Sequence, residues 1–225
     1  MLTVDGLFIG NIRIMEATGH RTGLFKEPVE RATVSRLGLV GDHQADRRYH
    51  GGPEKAVHHY APDHYVRIAA RFPAATIHAV PGGLGENLSS AGMTERTVCI
   101  GDRYRLGEEV ELEVSQPRTP CAKINQRFGE DDLARFVLDE RITGWYCRVI
   151  REGAVERGAA ITLQARPNPE LTLDYFWTVV NQHRPDLDEL RKLATATGLT
   201  ASWVKRLHNR VAFLEKLGRG QRSQR

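Results

Sequence analysis

The sequence predicts an α+β protein, mainly β. A β-rich body over residues 1–165 carries a three-helix extension over 166–217 and a flexible basic tail over 218–225. Two observations predict this. In the first part, apolar stretches of strand length alternate with turns marked by glycine and proline. After Arg166-Pro167-Asn168-Pro169, a credible linker, apolar residues recur at helical spacing and no strand pattern is left. Hydrophobic content of 40% and charged content of 27% are ordinary for a globular protein of this length, one large domain or a domain with an appendage.

Taken in order, residues 7–10 and 29–34 read as early strands, and 38–42 as a turn entering a polar loop. Residues 62–72 predict a helix that opens with proline and an acid and stops before Pro73. Residues 97–100, Gly101-Asp102 and 103–106 read as strand, turn and strand. In residues 110–114, Val110, Leu112 and Val114 share one face while two glutamates take the other. Asp131-Asp132 start a helix with Leu133, Phe136 and Val137 on one side. Residues 144–150 form a strand, Gly153 marks a turn, and residues 159–163 return as its hairpin partner. In the extension, Leu187, Leu190 and Leu193 make the stripe of a second helix, with Gly198 at its stop. Thr200 is placed to cap the third, with Leu199 and Val204 as a hydrophobic staple. Trp203, Leu207, Val211 and Leu214 continue an apolar face. Three helices this short bury little alone, so they are expected to dock on the β-body.

The bulk properties exclude several functions. No apolar run approaches the ~20 residues needed to span a bilayer, and the first residues are not those of a secretory signal. Three cysteines and no CxxC argue against a disulfide framework or a finger-type zinc site and for a reducing, cytoplasmic setting. The pI near 9.1 suggests polyanion binding, but the charge is uneven. Residues 205–225 hold seven Lys/Arg against one acid, a net +6 that leaves −2 for residues 1–204 out of the total +4. The body is mildly acidic, so nucleic acid is not the expected partner.

Three segments concentrate chemistry. In Ser115-Gln116-Pro117-Arg118-Thr119-Pro120-Cys121-Ala122-Lys123, two prolines end a strand and stiffen a loop that presents Cys121 between two cations. Nearby cations favour thiolate, the form that attacks electrophiles and binds soft metals, and the residues alone leave both roles open. In residues 41–57, paired Gly51 and Gly52 let backbone N–H groups approach a ligand, while Arg48, His50 and Lys55 supply charge suited to an anion. Asp42 and Asp46 serve either the site or the loop's own Asx-type bonds. Residues 81–88 form a second glycine loop ending in Glu86 and Asn87. Cys99 and Cys147, inside strand patterns, are read as structural, as is Trp203. His58, His59 and His64 match no HExxH-type spacing and are read as hydrogen-bonded rather than metal-bound.

The run His50-Gly51-Gly52-Pro53-Glu54-Lys55-Ala56-Val57, preceded by Gly41-Asp42-His43-Gln44-Ala45-Asp46, resembles the MOSC domain family. Gly85-Glu86-Asn87-Leu88 and the Cys121 segment complete the pattern in order. The helical extension is similar to that of the YiiM-like branch, linked to resistance to 6-N-hydroxylaminopurine. The resemblance implies a β-barrel-like fold binding the molybdenum cofactor, with Cys121 as molybdenum ligand. His50, Gly51, Gly52, Lys55, Asn87, Arg118 and Lys123 would hold the pterin or its phosphate. Asp42 and Glu86 would organise the pocket or donate protons alongside Cys121 in catalysis. The implied reaction is reduction of N-hydroxylated bases and related N-oxygenated compounds, with electrons from an external donor of the flavoprotein reductase kind. The alternative is a non-catalytic carrier of the cofactor, or of sulfur as a persulfide on Cys121. An aminotransferase-like region of the kind found in cofactor sulfurases is absent from these residues, so pyridoxal phosphate is not expected.

Overall fold

The computed structural model describes residues 1–16, 18–46 and 50–222, with side chains up to residue 218. Glycine and proline punctuation cuts the first 165 residues into fourteen short strands. They are β1 (Leu2–Thr3), β2 (Gly6–Ile9), β3 (Arg13–Ile14), β4 (Arg21–Thr22), β5 (Glu27–Pro28), β6 (Arg31–Ser35) and β7 (Gly38–Leu39). After the polar loop come β8 (Val57–Tyr60), β9 (Leu88–Ser89), β10 (Arg103–Leu106), β11 (Val110–Pro117), β12 (Trp145–Arg151), β13 (Gly153–Glu156) and β14 (Ala160–Ala165). Helices α1 (Asp63–Arg71), α2 (Lys123–Phe128) and α3 (Leu133–Asp139) interrupt them, and α4 (Leu173–Val180), α5 (Leu187–Ala194) and α6 (Ala201–Arg222) follow.

Nine strands form one sheet in the order β1-β14-β10-β11-β12-β8-β9-β2-β5. Its pairings are antiparallel except β8 with β9. Residues 2–9 close it into a ring. Their first half pairs with β14 and their second half with β9, and between them Val4 N donates to Ala159 O and Asp5 N to Ser89 O, both at 2.9 Å. A strand that serves both ends of the order leaves fewer open edges, the usual benefit of a barrel. A smaller sheet, β13-β6-β7, and the β3-β4 ribbon lie beside it.

Several elements differ from the sequence expectation, each for a tertiary reason. Residues 97–100 are not a strand paired with 103–106. Cys99 N donates to Asp102 Oδ2 at 2.9 Å, while Ile100 N and the carbonyl of Val98 bond Leu171 and Leu173. The segment thus joins the extension rather than a hairpin. Residues 153–156 pair with β6, and β14 pairs with β1 and β10 instead of returning on β12. The short helix α2, unforeseen in the sequence, buries Ile124 and Phe128 and ends at Gly129 in a left-handed cap (φ 69°). Helix α5 stops at Ala194, ahead of Gly198. Helix α6 runs on to Arg222, so residues 218–222, expected as a loose tail, are helical. The Thr200 hydroxyl is diverted from capping to Gln116 Oε1, 3.1 Å away on β11.

The extension shares the barrel's core. Phe176, Trp177, Leu190, Leu193, Trp203 and Leu207 belong to the same buried cluster as Val110, Leu112, Val114 and Trp145. Phe176 is fully buried and meets Trp203 edge-on at 4.9 Å between ring centroids. Arg148 of β12 adds polar ties, donating to Glu113 and, at 2.8 Å, to Gly198 O. Replacing Phe176 with Ala is therefore expected to cost about 3–5 kcal/mol. Urea unfolding should show one transition for barrel and helices together. A separate early melting of the helices would contradict the shared core.

Candidate functional site

The loop that presents Cys121 is built by the end of β11. Pro117 is the last residue of the strand, and Arg118 N is taken by Gly144 O at 3.0 Å. Thr119 and Pro120 follow, and Cys121 O accepts from Ile124 N at 3.1 Å as α2 begins. The thiol is thus at the barrel mouth beside the N-terminus of a short helix, half-buried. Cys99 and Cys147 are both buried, and burial pushes the Cys147 thiol up to about 12.

A cavity of about 80 Å³ opens here between residues 22–26, the polar loop and the ends of β8, β11 and β12. Cys121, Arg118, Lys123, His50, Gly51, Lys55, Asp42 and Asn87 line it, so the structure brings eight of the sequence candidates together. It does not bring Gly52 or Glu86 to this wall. Glu86 is fully buried and turned away, its Oε1 accepting from Tyr65 Oη at 2.7 Å and Gly82 N at 2.6 Å. Burial raises its pKa, which favours the neutral acid. Arg48 lies outside the described residues.

Asp42 is a hub within the wall. Its carboxylate accepts from Gly10 N at 2.9 Å, Gln44 Nε2 at 3.2 Å and Asn87 Nδ2 at 3.0 Å, and pairs with Lys26. Both members of that pair are about 95% buried. Burial lowers the Lys26 pKa, and Asp42 opposes that shift. Asn87 spends its amide on Phe8 O, Asp42 and His58 N. These two residues hold the wall's shape and have little left for a ligand.

The other side chains are different. Arg118 is 3% exposed, and its Nη1 has no hydrogen-bond partner among the described residues. A buried guanidinium nitrogen without a partner on a cavity wall is a costly arrangement that an anion would relieve. The His50 pKa is lowered to about 4, by burial first and then by the charges of Arg118, Lys55 and Lys123. Gly51 (φ 77°) and Gly85 (φ 80°) adopt left-handed backbone, and a Cβ on either would come within 2.7 Å of Gln44 or Leu24.

A second, wider cavity of about 470 Å³ shares Cys121, Asp46, His50, Lys55, Lys123 and Tyr146 with the first. Its far wall is Ser202, Trp203 and Arg206 of α6. Trp203, expected as core, is 7% exposed and does both jobs. Lys26, His58, Tyr146 and Arg206 are lining residues that sequence reasoning missed. Lys26 sits in the loop before β5, and His58, Tyr146 and Arg206 at ordinary strand and helix positions, with no local signal at any of them. His59 stacks on Trp145 (4.6 Å) and His64 bonds Glu95 (2.6 Å). Among the described residues no group of three His, Cys, Asp or Glu could hold a metal ion.

Barrel, thiol loop and cationic double cavity define a β-barrel domain with a candidate site at its mouth. The MOSC domain model matches residues 46–162. YiiM of Escherichia coli is 38% identical over 178 residues, covering 79% of this chain and 78% of that one. Its crystal structure matches with a TM-score of 0.79 at 30% identity, covering 94% of this chain and 93% of that one. The uncharacterized protein YflK of Bacillus subtilis is 34% identical over 96% of this chain and 95% of its own. A Gibberella moniliformis protein named Reductase is 41% identical over 67% of this chain and 26% of its own length. The chain belongs to the MOSC domain family, in its YiiM-like branch.

Two outcomes are expected from this geometry. Asp42→Asn, which leaves buried Lys26 without a counter-charge, should lower stability by about 3–5 kcal/mol in urea unfolding. The His50 pKa in the fold lies below its unfolded value of 6.5, so its contribution to stability is present above pH 6.5 and lost as pH falls toward about 4. NMR titration should find the His50 ring neutral at pH 5.5, and Arg118→Met should raise its pKa.

Proposed function

We propose that the protein is a molybdenum-cofactor-dependent reductase of N-hydroxylated bases and related N-oxygenated compounds, which it detoxifies to the corresponding amines. The observation that carries this reading is the position of Cys121, a thiol on the wall shared by a cationic inner cavity and a wide outer one. Its relatedness to YiiM and to a protein named Reductase supports a redox enzyme.

The residues fit the cofactor on three counts. A thiolate is the soft donor that suits molybdenum. Arg118, Lys55 and Lys123 provide the charge that a pterin dithiolene and its phosphate require, and the free Nη1 of Arg118 supplies a buried donor. Gly51 and Gly85 line the inner cavity with no side chain between their backbone and the space, as close approach of a ligand requires. In this reading Cys121 is the metal ligand. Arg118, Lys123, Lys55, His50 and Gly51 hold the pterin and phosphate, and Asp42 and Asn87 keep their wall in place.

When bound, the cofactor supplies the two-electron chemistry that cleaves the N–O bond. The overall change takes two electrons and two protons and turns R–NH–OH into R–NH₂ and water. An anion beside His50 offsets the three neighbouring cations and raises its pKa toward neutrality. His50 is then the lining group best suited to hold and pass on a proton. Glu86 has no such path, being turned into the core. With two of three cysteines buried, these residues offer no ligand set for an iron–sulfur centre, and in this reading an external donor of the flavoprotein reductase kind supplies the electrons. No helix among the described residues is long and apolar enough to cross a membrane.

The test is molybdenum analysis of protein made in a cofactor-producing host, with turnover of an N-hydroxylated base under an added electron donor. Cys121→Ala should lose most of its molybdenum and at least about a hundredfold in rate. Full molybdenum and full activity in that variant would sink the proposal. Persulfide on Cys121 without turnover would establish the carrier instead.

A further inference from the structure

We propose that buried Glu95 is a positioning residue for the ligand site. Through Gly144 it fixes where Arg118 enters the inner cavity, and so governs how firmly the cofactor is held. The consequence for the cofactor rests on the reductase reading, whereas the placement of Arg118 does not.

Glu95 lies in the turn between β9 and β10 and is 2% exposed. Both of its carboxylate oxygens are engaged. Oε2 is 2.6 Å from Nε2 of His64 on α1, and Oε1 accepts from Gly144 N at 2.6 Å. Its main-chain carbonyl accepts from Asp174 N at 2.8 Å, in the first turn of α4. Taking a carboxylate out of water is costly, and a buried pair of this kind is a poor source of net stability. The better-attested use of such a group is to select one arrangement among several. His64, Gly144 and Asp174 are not among the residues that line either cavity, so the influence of Glu95 on the site passes through the backbone.

Gly144 is the link. It adopts left-handed backbone (φ 71°) just before β12, and a Cβ there would come within 2.6 Å of His59 O and 2.8 Å of the Tyr60 ring. Without a side chain to anchor it, a glycine is oriented by its peptide groups. Glu95 takes the N–H of Gly144, and the Gly144 carbonyl accepts from Arg118 N at 3.0 Å. The Thr143 hydroxyl, 3.0 Å from the same carbonyl, accepts in turn from Trp177 Nε1 of α4 at 2.9 Å. Pro117 has no N–H, so the Arg118 amide makes the bond that ends the β11–β12 pairing before the thiol loop departs. From that point the buried Arg118 side chain reaches the inner wall, with Nη1 unpartnered among the described residues. A guanidinium presents its donors in a rigid fork, so a shift of its backbone carries them off the anion they serve. The line His64, Glu95, Gly144, Arg118 therefore ties α1 and the start of β12 to the cavity wall.

The test uses the full chain, with and without cofactor. NMR of arginine-labelled protein reads the Arg118 Nε–H signal, which should be ordered and protected from solvent exchange. Glu95→Ala should shift that signal and expose it to exchange. In protein from a cofactor-producing host, the same variant should retain about tenfold less molybdenum, or lower still, after gel filtration. Glu95→Asp keeps the charge but is one methylene shorter. It should act in the same direction, and it serves where the alanine variant does not fold. Glu95→Gln, whose amide oxygen can still accept from Gly144 N, should restore both readings. In an Arg118→Met background, adding Glu95→Ala should lower retention no further. An Arg118 signal unchanged in both shortened variants would overturn the proposal, whatever their stability in urea. So would a moved signal with molybdenum fully retained, or a further loss on top of Arg118→Met. The Arg118 signal needs no cofactor, so it decides the placement independently of the Cys121→Ala test, which reports on the reductase reading.

Discussion

The carboxylate of Asp42 ties the polar loop to four neighbouring strands of the sheet at the barrel mouth. It takes the backbone N–H of Gly10 just after β2, the ammonium of Lys26 before β5 and the amide of Asn87 before β9. Through Asn87 it also reaches the backbone of Phe8 and of His58 on β8. Without that charge, Lys26 would be an isolated buried cation and the glycine loops would lose a common anchor. The cavity wall is therefore fixed by a saturated polar knot, and the cations that face the ligand stand in front of it. Rigid support behind, with the buried Nη1 of Arg118 unmet among the described residues in front, is the arrangement a binding site needs.

The extension is part of the site as well as part of the core. Phe176, Trp177 and Trp203 pack edge-on around one another and continue the apolar interior of the barrel. Thr200 N and its hydroxyl bond Ser115 O and Gln116 Oε1, a few residues before Cys121. One surface of α6 therefore completes the fold while its first turns complete the outer cavity.

Much of this was legible in the sequence because it rests on local chemistry. The proline pair that ends β11, the paired glycines and the cation-flanked thiol could each be read from spacing, and the cavity gathers eight of the residues so named. Helices α1 and α3 were legible from their starts and stripes. What could not be read depends on partners distant in the chain. Residues 97–100 have a strand's composition, but they bond the linker to the extension. Residues 153–156 look like a turn until β6 is placed beside them. Glu86 shares a motif with Asn87 yet bonds Tyr65 and Gly82 at the end of the glycine turn, while Asn87 bonds Asp42 and Phe8. Arg206 looked like an ordinary exposed helix position, and only docking of the extension brings it to the site.

The closing of the ring by residues 2–9 also sets an order of assembly. Leu2 meets Ile161, about 160 residues further along the chain. That contact cannot form until most of the protein has left the ribosome, and closing so long a loop is slow. Until then β14 lacks a neighbour on one side and presents unpaired backbone groups to any passing strand. Residues 2–3 thus reach β14 late, and closure of the barrel depends on their remaining free for that interval.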